Sequence, residues 1–158
     1  MMGFTNGIPE YGMHDKLFPG DIARKLWGFL KAMFESMISV DTDCVIEGEA
    51  ILPELIIELL KKYPDKLNIC FLGYTNVNVE NKSKEIRDFS MKESDWLKDK
   101  PDAYIIDHVK NIIAHSLVIK KSCEENRIRY FDTSETFCEL WKIRKNLYPA
   151  NSKNNQKK

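Results

Sequence analysis

Short apolar runs alternate along this chain with longer stretches whose apolar residues recur every three or four positions, a pattern that restricts the fold more than any other feature. The run Cys44-Val45-Ile46, ending in Glu47-Gly48, is too short for a helix and predicts a strand buried on both faces. Pro53 suits a first helical turn, and Leu55, Ile56, Leu59 and Leu60 give one apolar face to a helix through Lys62, which Tyr63-Pro64-Asp65 ends. A second strand follows over Leu67–Gly73, again bounded by turn residues. Strand, helix and strand in that order predict an α/β fold, a three-layer sandwich around a short parallel sheet whose ligands bind beyond the carboxyl ends of the strands.

The flanks extend this frame. Gly3, Gly7, Pro9, Gly12, Pro19 and Gly20 predict a loop segment over residues 1–20. From Asp21, whose carboxylate suits an N-cap, the residues Ile22, Leu26, Phe29, Leu30, Met33 and Met37 share one helix face to about Ile38. Residues 74–100 are polar and weakly periodic, carrying Lys82, Lys84, Arg87, Lys92, Lys98 and Lys100 among acids, which predicts a charged, lid-like excursion. Beyond Pro101, Ile105, Val109, Ile112, Ser116, Ile119 and Cys123 advance in steps of four and three and mark a long helix that stops at Asn126. Arg127–Phe131 reads as a third strand, and Asp132-Thr133-Ser134 offers capping oxygens to a last helix with Phe137, Leu140, Trp141, Leu147 and Tyr148. One domain is expected over 21–149, followed by a disordered tail over 150–158 that has no residue able to anchor it.

Composition narrows the function. Lys plus Arg number 24 and Asp plus Glu number 24, so no net field gathers polyanions, and nucleic acid is not an expected partner. The longest apolar stretch, Ala50 to Ile57, is interrupted by Pro53 and Glu54 and falls short of the roughly 20 residues that cross a bilayer. Without a basic and apolar leader at Met1–Glu10, the cytoplasm is the expected compartment and no membrane partner is expected. Cys44, Cys70, Cys123 and Cys138 form no C-x-x-C pair and read as reduced structural thiols. His108 and His115, seven apart on the long helix, have poor metal spacing, and no metal site is expected from them.

In their order, the segments Cys44-Val45-Ile46-Glu47-Gly48 with Pro53-Glu54-Leu55, Ile69–Gly73, Lys82–Arg87, Ser94-Asp95-Trp96 and Arg129–Ser134 resemble the small-molecule kinases of the P-loop NTPase fold. That group holds the adenylate-kinase-like, 2-phosphoglycerate-kinase-like, chloramphenicol-phosphotransferase-like and zeta-toxin-like proteins. The similarity covers about Gly20 to Tyr148. It implies ATP and Mg²⁺ as cofactors and a small hydroxylated or phosphorylated acceptor as substrate. By the same resemblance Glu47 would orient the acceptor hydroxyl, or else is simply an exposed acid at a strand end. Arg87 would be a lid arginine closing over the phosphates, with Lys84 one turn before it; both are otherwise solvated charges. Asp132 and Thr133 would lie near the nucleotide base or merely cap a helix. His14, Asp15 and Lys16 sit where the group positions its acceptor, or form a surface loop.

One departure outweighs these matches: no G-x-x-x-x-G-K-[ST] occurs, and none of the glycines is followed by Lys. That loop's amides, lysine and hydroxyl supply much of the affinity for the β- and γ-phosphates. In the group, the strand before the loop lies between those corresponding here to Cys44–Gly48 and Leu67–Gly73. Its absence predicts unpaired strand edges, which must pair directly, recruit residues 1–20, or be completed by another copy or a partner chain. Two functions are therefore expected: an ATP-dependent phosphotransferase, truncated or degenerate and not catalytic alone, or a non-catalytic nucleotide- or protein-binding module on the same scaffold.

Overall fold

The computed structural model describes residues 18–41, 43–89 and 97–134. His14, Asp15 and Lys16, the expected last helix and the tail lie outside them. The order of elements is α1 (Pro19–Ser39), α2 (Pro53–Lys62), β1 (Cys70–Gly73), α3 (Val79–Phe89), α4 (Asp102–Asn126) and β2 (Arg129–Asp132). This mixture of helices with a two-stranded parallel sheet is compatible with the α/β class. The chain divides into two compact units between Leu67 and Asn68.

In the first unit α1 starts three residues earlier than an Asp21 N-cap would place it. Phe18 is its extended N-cap, and Pro19, with fixed φ and no N–H to satisfy, occupies the first turn. Asp21 instead sits inside that turn, where its charge complements the helix dipole. Ala23 and Phe34 are the buried residues of α1, whereas Phe29, expected on the inner face, is 66% exposed. Helix α2 occupies the expected span and buries Ile56 and Leu59.

Polar pairs join the two helices. Arg24 Nη2 donates to Glu54 Oε1 at 3.2 Å, Trp27 Nε1 and Lys31 Nζ both donate to Glu58 Oε1 at 3.0 and 2.9 Å, and Lys62 Nζ donates to Glu35 Oε1 at 2.8 Å. Partners advance together along both helices, so α1 and α2 run in the same direction. At about 1.5 Å per helical residue, residues 40–52 must return roughly 20 Å along α1 before α2 can start level with Arg24. At up to about 3.4 Å per residue, the connection covers that distance without being extended.

That connection is not a strand. Residues 43–48, expected as the first strand of the sheet, have no regular secondary structure. Only three apolar residues separate Asp43 from Glu47, and no strand pairs with them among the described residues, which leaves Val45 79% exposed.

The second unit holds the sheet. β1 and β2 pair in parallel with Cys70 opposite Arg129 and Gly73 opposite Asp132. Helix α4 packs on both strands and on α3. Its inward stripe, Ile105, Val109, Ser116, Ile119 and Cys123, is buried at the spacing the sequence predicts. The helix ends at Asn126, as expected, but the residue after it closes the helix. Arg127, not Asn126, takes the left-handed conformation (φ 56°), and Ile128 N–H donates to Cys123 O at 2.9 Å, a Schellman-type closure.

The excursion expected over 74–100 contains α3. Asn78 Oδ1 accepts from the Asn81 amide at 2.8 Å and caps the helix, and the half-buried Val79, Ser83 and Ile86 recur on one side of it. This stripe is too weak to stand out among so many charges.

Candidate functional site

Parallel pairing sets the carboxyl ends of β1 and β2 side by side, and the chain leaves both through polar residues: Tyr74-Thr75-Asn76 after β1, Thr133-Ser134 after β2. Asp132, the last residue of β2, joins the two exits. Its Oδ1 accepts from the Ser134 amide at 3.0 Å and the Thr75 amide at 3.4 Å, and its carboxylate also accepts from the Ser134 and Thr75 hydroxyls. Ser134 Oγ in turn accepts from the Thr75 amide at 3.0 Å and the Asn76 amide at 2.9 Å. Thr133 completes the clasp, its amide and hydroxyl donating to Gly73 O at 2.8 and 3.1 Å. Lys120 of α4 stands 3.9 Å from Asp132 Oδ2 and supplies the cluster's positive charge.

These contacts set the carboxylate's charge. Burial opposes ionisation of Asp132, but the hydrogen bonds from Ser134 and Thr75 prevail and hold its pKa below the ordinary value of 3.8. An ionised Asp132 is therefore the acceptor around which both exits fold.

Beneath the clasp the backbone is tightly approached. A Cβ on Gly73 would stand 2.7 Å from Ser116 Oγ and against the Tyr130 hydroxyl, so only glycine fits there. Ser116 Oγ accepts from the Tyr74 amide at 3.3 Å, which explains a hydroxyl in the apolar stripe of α4. The Tyr130 hydroxyl is buried without a bond of good geometry, and its pKa is pushed up to about 12 by burial and by the Asp132 charge.

Of the residues singled out from sequence, Asp132 and Thr133 meet in this cluster. Arg87 and Lys84 lie on α3. Lys84 is exposed, whereas Arg87 is fully engaged in holding the start of α4. Its guanidinium donates to Asp102 Oδ1 at 3.1 and 2.6 Å, to Lys98 O at 3.0 Å and to Lys100 O at 2.6 Å. A phosphate would have to displace those acceptors. Glu47, in the first unit, is exposed on the irregular segment rather than at a strand end.

Ser116, Tyr130 and Lys120 escaped the sequence reading, and Thr75 was legible only as part of the polar segment after Gly73 at the ligand-binding end of the strand. Of the first three, Ser116 alone left a signal, as the polar member of an otherwise apolar stripe. Within the cluster the Thr75 and Ser134 hydroxyls both donate to the Asp132 carboxylate, and these bonds tie the two strand exits together. No group of His, Cys, Asp and Glu side chains among the described residues could hold a metal ion. No described helix is long and apolar enough to cross a membrane. Compared with known proteins, the chain matches no protein-family model, no curated protein and no solved structure.

Proposed function

We propose that this chain is a kinase-like nucleotide-binding scaffold that holds the nucleoside end of ATP at its clasped strand ends and does not transfer phosphate on its own. The observation that carries the reading is the clasp of Asp132, Thr133 and Ser134 onto Gly73, Thr75 and Asn76 at the carboxyl ends of two parallel strands, where ligands of such sheets bind. The resemblance to P-loop small-molecule kinases assigns the base to those same residues, Asp132 and Thr133. A phosphate cradle is the missing part: the sequence has no G-x-x-x-x-G-K-[ST], and the Arg87 fork is spent on Asp102 and neighbouring carbonyls. In-line phosphoryl transfer to a small hydroxylated acceptor, with Mg²⁺ on the phosphates, would then require that cradle from another polypeptide.

Calorimetry with Mg·ATP and with adenosine checks the proposal. Both should bind in the millimolar range with similar affinity, because the phosphates add little. Micromolar affinity for Mg·ATP alone would show a working phosphate site and overturn it. An absence of heat from either ligand would leave the scaffold as a protein-binding module.

A further inference from the structure

The two outer edges of the sheet differ in character. Thr133 N–H donates to Gly73 O, and bonding residues alternate along a parallel ladder, so Phe71 and Gly73 turn their amides and carbonyls to β2. Cys70 and Leu72 therefore turn theirs to the open edge of β1, where no strand pairs among the described residues. A Cβ on Gly73 would meet Ser116 of α4, so the two-residue period sets Cys70 and Leu72 on the face away from that helix, where Leu72 is 53% exposed. Strand edges that stay single are guarded by charges or proline. The β2 side carries Arg127, Arg129 and Asp132, whereas neither a charged residue nor a proline occurs from Leu67 to Val79.

We propose that the open edge of β1 pairs antiparallel with the same edge of a second copy of this chain, about a two-fold axis normal to the sheet at Phe71. In that register Cys70 exchanges both N–H···O bonds with the second copy's Leu72, and the two Phe71 residues face each other as the non-hydrogen-bonded pair. Both α4 helices then lie on one side of a continuous four-stranded sheet. A slip of one residue would set bonded amides opposite free ones and reverse the faces. The edge has no charge by which a charged peptide could be chosen, whereas it matches itself. Lys plus Arg and Asp plus Glu are also equal at 24 each, so two copies approach without net repulsion. With four residues per strand, the dimer is a weak one. Nucleoside binding at the clasped strand ends plays no part in this edge.

The test uses the full chain in reducing buffer at physiological salt. Sedimentation should show an average mass that climbs from one chain toward two between about 10 µM and about 1 mM protein. Over the same range, amide exchange should slow at least about tenfold at Cys70 and Leu72 and stay unchanged at Phe71 and Gly73, whose amides β2 already holds. Leu72→Lys, at an exposed site, should keep the mass at one chain while circular dichroism stays unchanged. With Cys44 and Cys138 replaced by Ser, Leu72→Cys should give a disulfide-linked dimer on mild oxidation, and adding Cys70→Ser should remove it. Leu117→Cys in that background, at an exposed apolar site of α4, should give none. Three results overturn the proposal: a mass of one chain throughout; exchange at Cys70 and Leu72 that is slow at every concentration, which would put another segment of this chain on the edge; or association that persists in Leu72→Lys, which would place the contact elsewhere.

Discussion

The two units solve the problem of polar groups in opposite ways. In the first, the charged groups form separate pairs at or near the surface: Glu58 takes Lys31 and Trp27, Glu35 takes Lys62, and Asp41 takes Lys66, with Asp41 the most exposed of them at 81%. In the second, a few polar groups are drawn between strands and helix, and one carboxylate, Asp132, organises two loops. Solvent screens the first kind, and the ordering of long side chains offsets most of its gain. The second kind is partly shielded, so each bond lost there leaves a desolvated group behind. Equal numbers of contacts on paper thus imply unequal consequences.

The contrast is broken most forcefully at Gly73. Gly73→Ala forces a Cβ into Ser116 and Tyr130 and should cost about 2–3 kcal/mol, read from denaturant unfolding. Adding Tyr130→Phe should restore part of that loss, and no restoration would mean that the backbone rather than the hydroxyl sets the limit. Asp132→Asn should cost about 1.5–3 kcal/mol and expose the Thr75 and Asn76 amides to exchange, because charge-assisted bonds are lost. Since the folded-state pKa of Asp132 lies below 3.8, its contribution is present above that pH and lost as pH falls through the depressed value. The stability difference between wild type and Asp132→Asn should therefore close as the medium is acidified below about pH 4. Replacing Arg87 by Ala should cost about 1–3 kcal/mol, by leaving the Lys98 and Lys100 carbonyls and Asp102 without their donor. Least of all, Glu58→Gln should leave the unfolding midpoint unchanged within replicate scatter, although Lys31 and Trp27 hold the Glu58 pKa below its ordinary value. A large loss there would collapse the distinction between the units.

What the sequence made legible follows the same division. Helices with a strong apolar stripe, α2 and α4, stand where periodicity places them, because burial of Ile56, Leu59, Ile105 and Val109 outweighs local preferences. The short runs were half legible. Leu67–Gly73 contains β1 because a second strand lies beside it, whereas Cys44–Gly48, just as apolar at its centre, has no strand beside it among the described residues and forms none. Strandedness belongs to pairs, and a run of three apolar residues says nothing of its partner. In the site, Asp132 and Thr133 were visible as capping residues, but their partners Thr75 and Ser116 lie dozens of positions away in sequence and come together only through parallel pairing. Arg87 was visible as a charge, not as the tether of α4.

A titration followed by amide NMR tests most directly whether the clasped strand ends are a nucleoside site. Millimolar adenosine should shift the Thr75, Asn76 and Ser134 signals saturably in the wild type and leave them unmoved in Asp132→Asn. Unmoved signals in the wild type, or equal shifts in both proteins, would contradict the account.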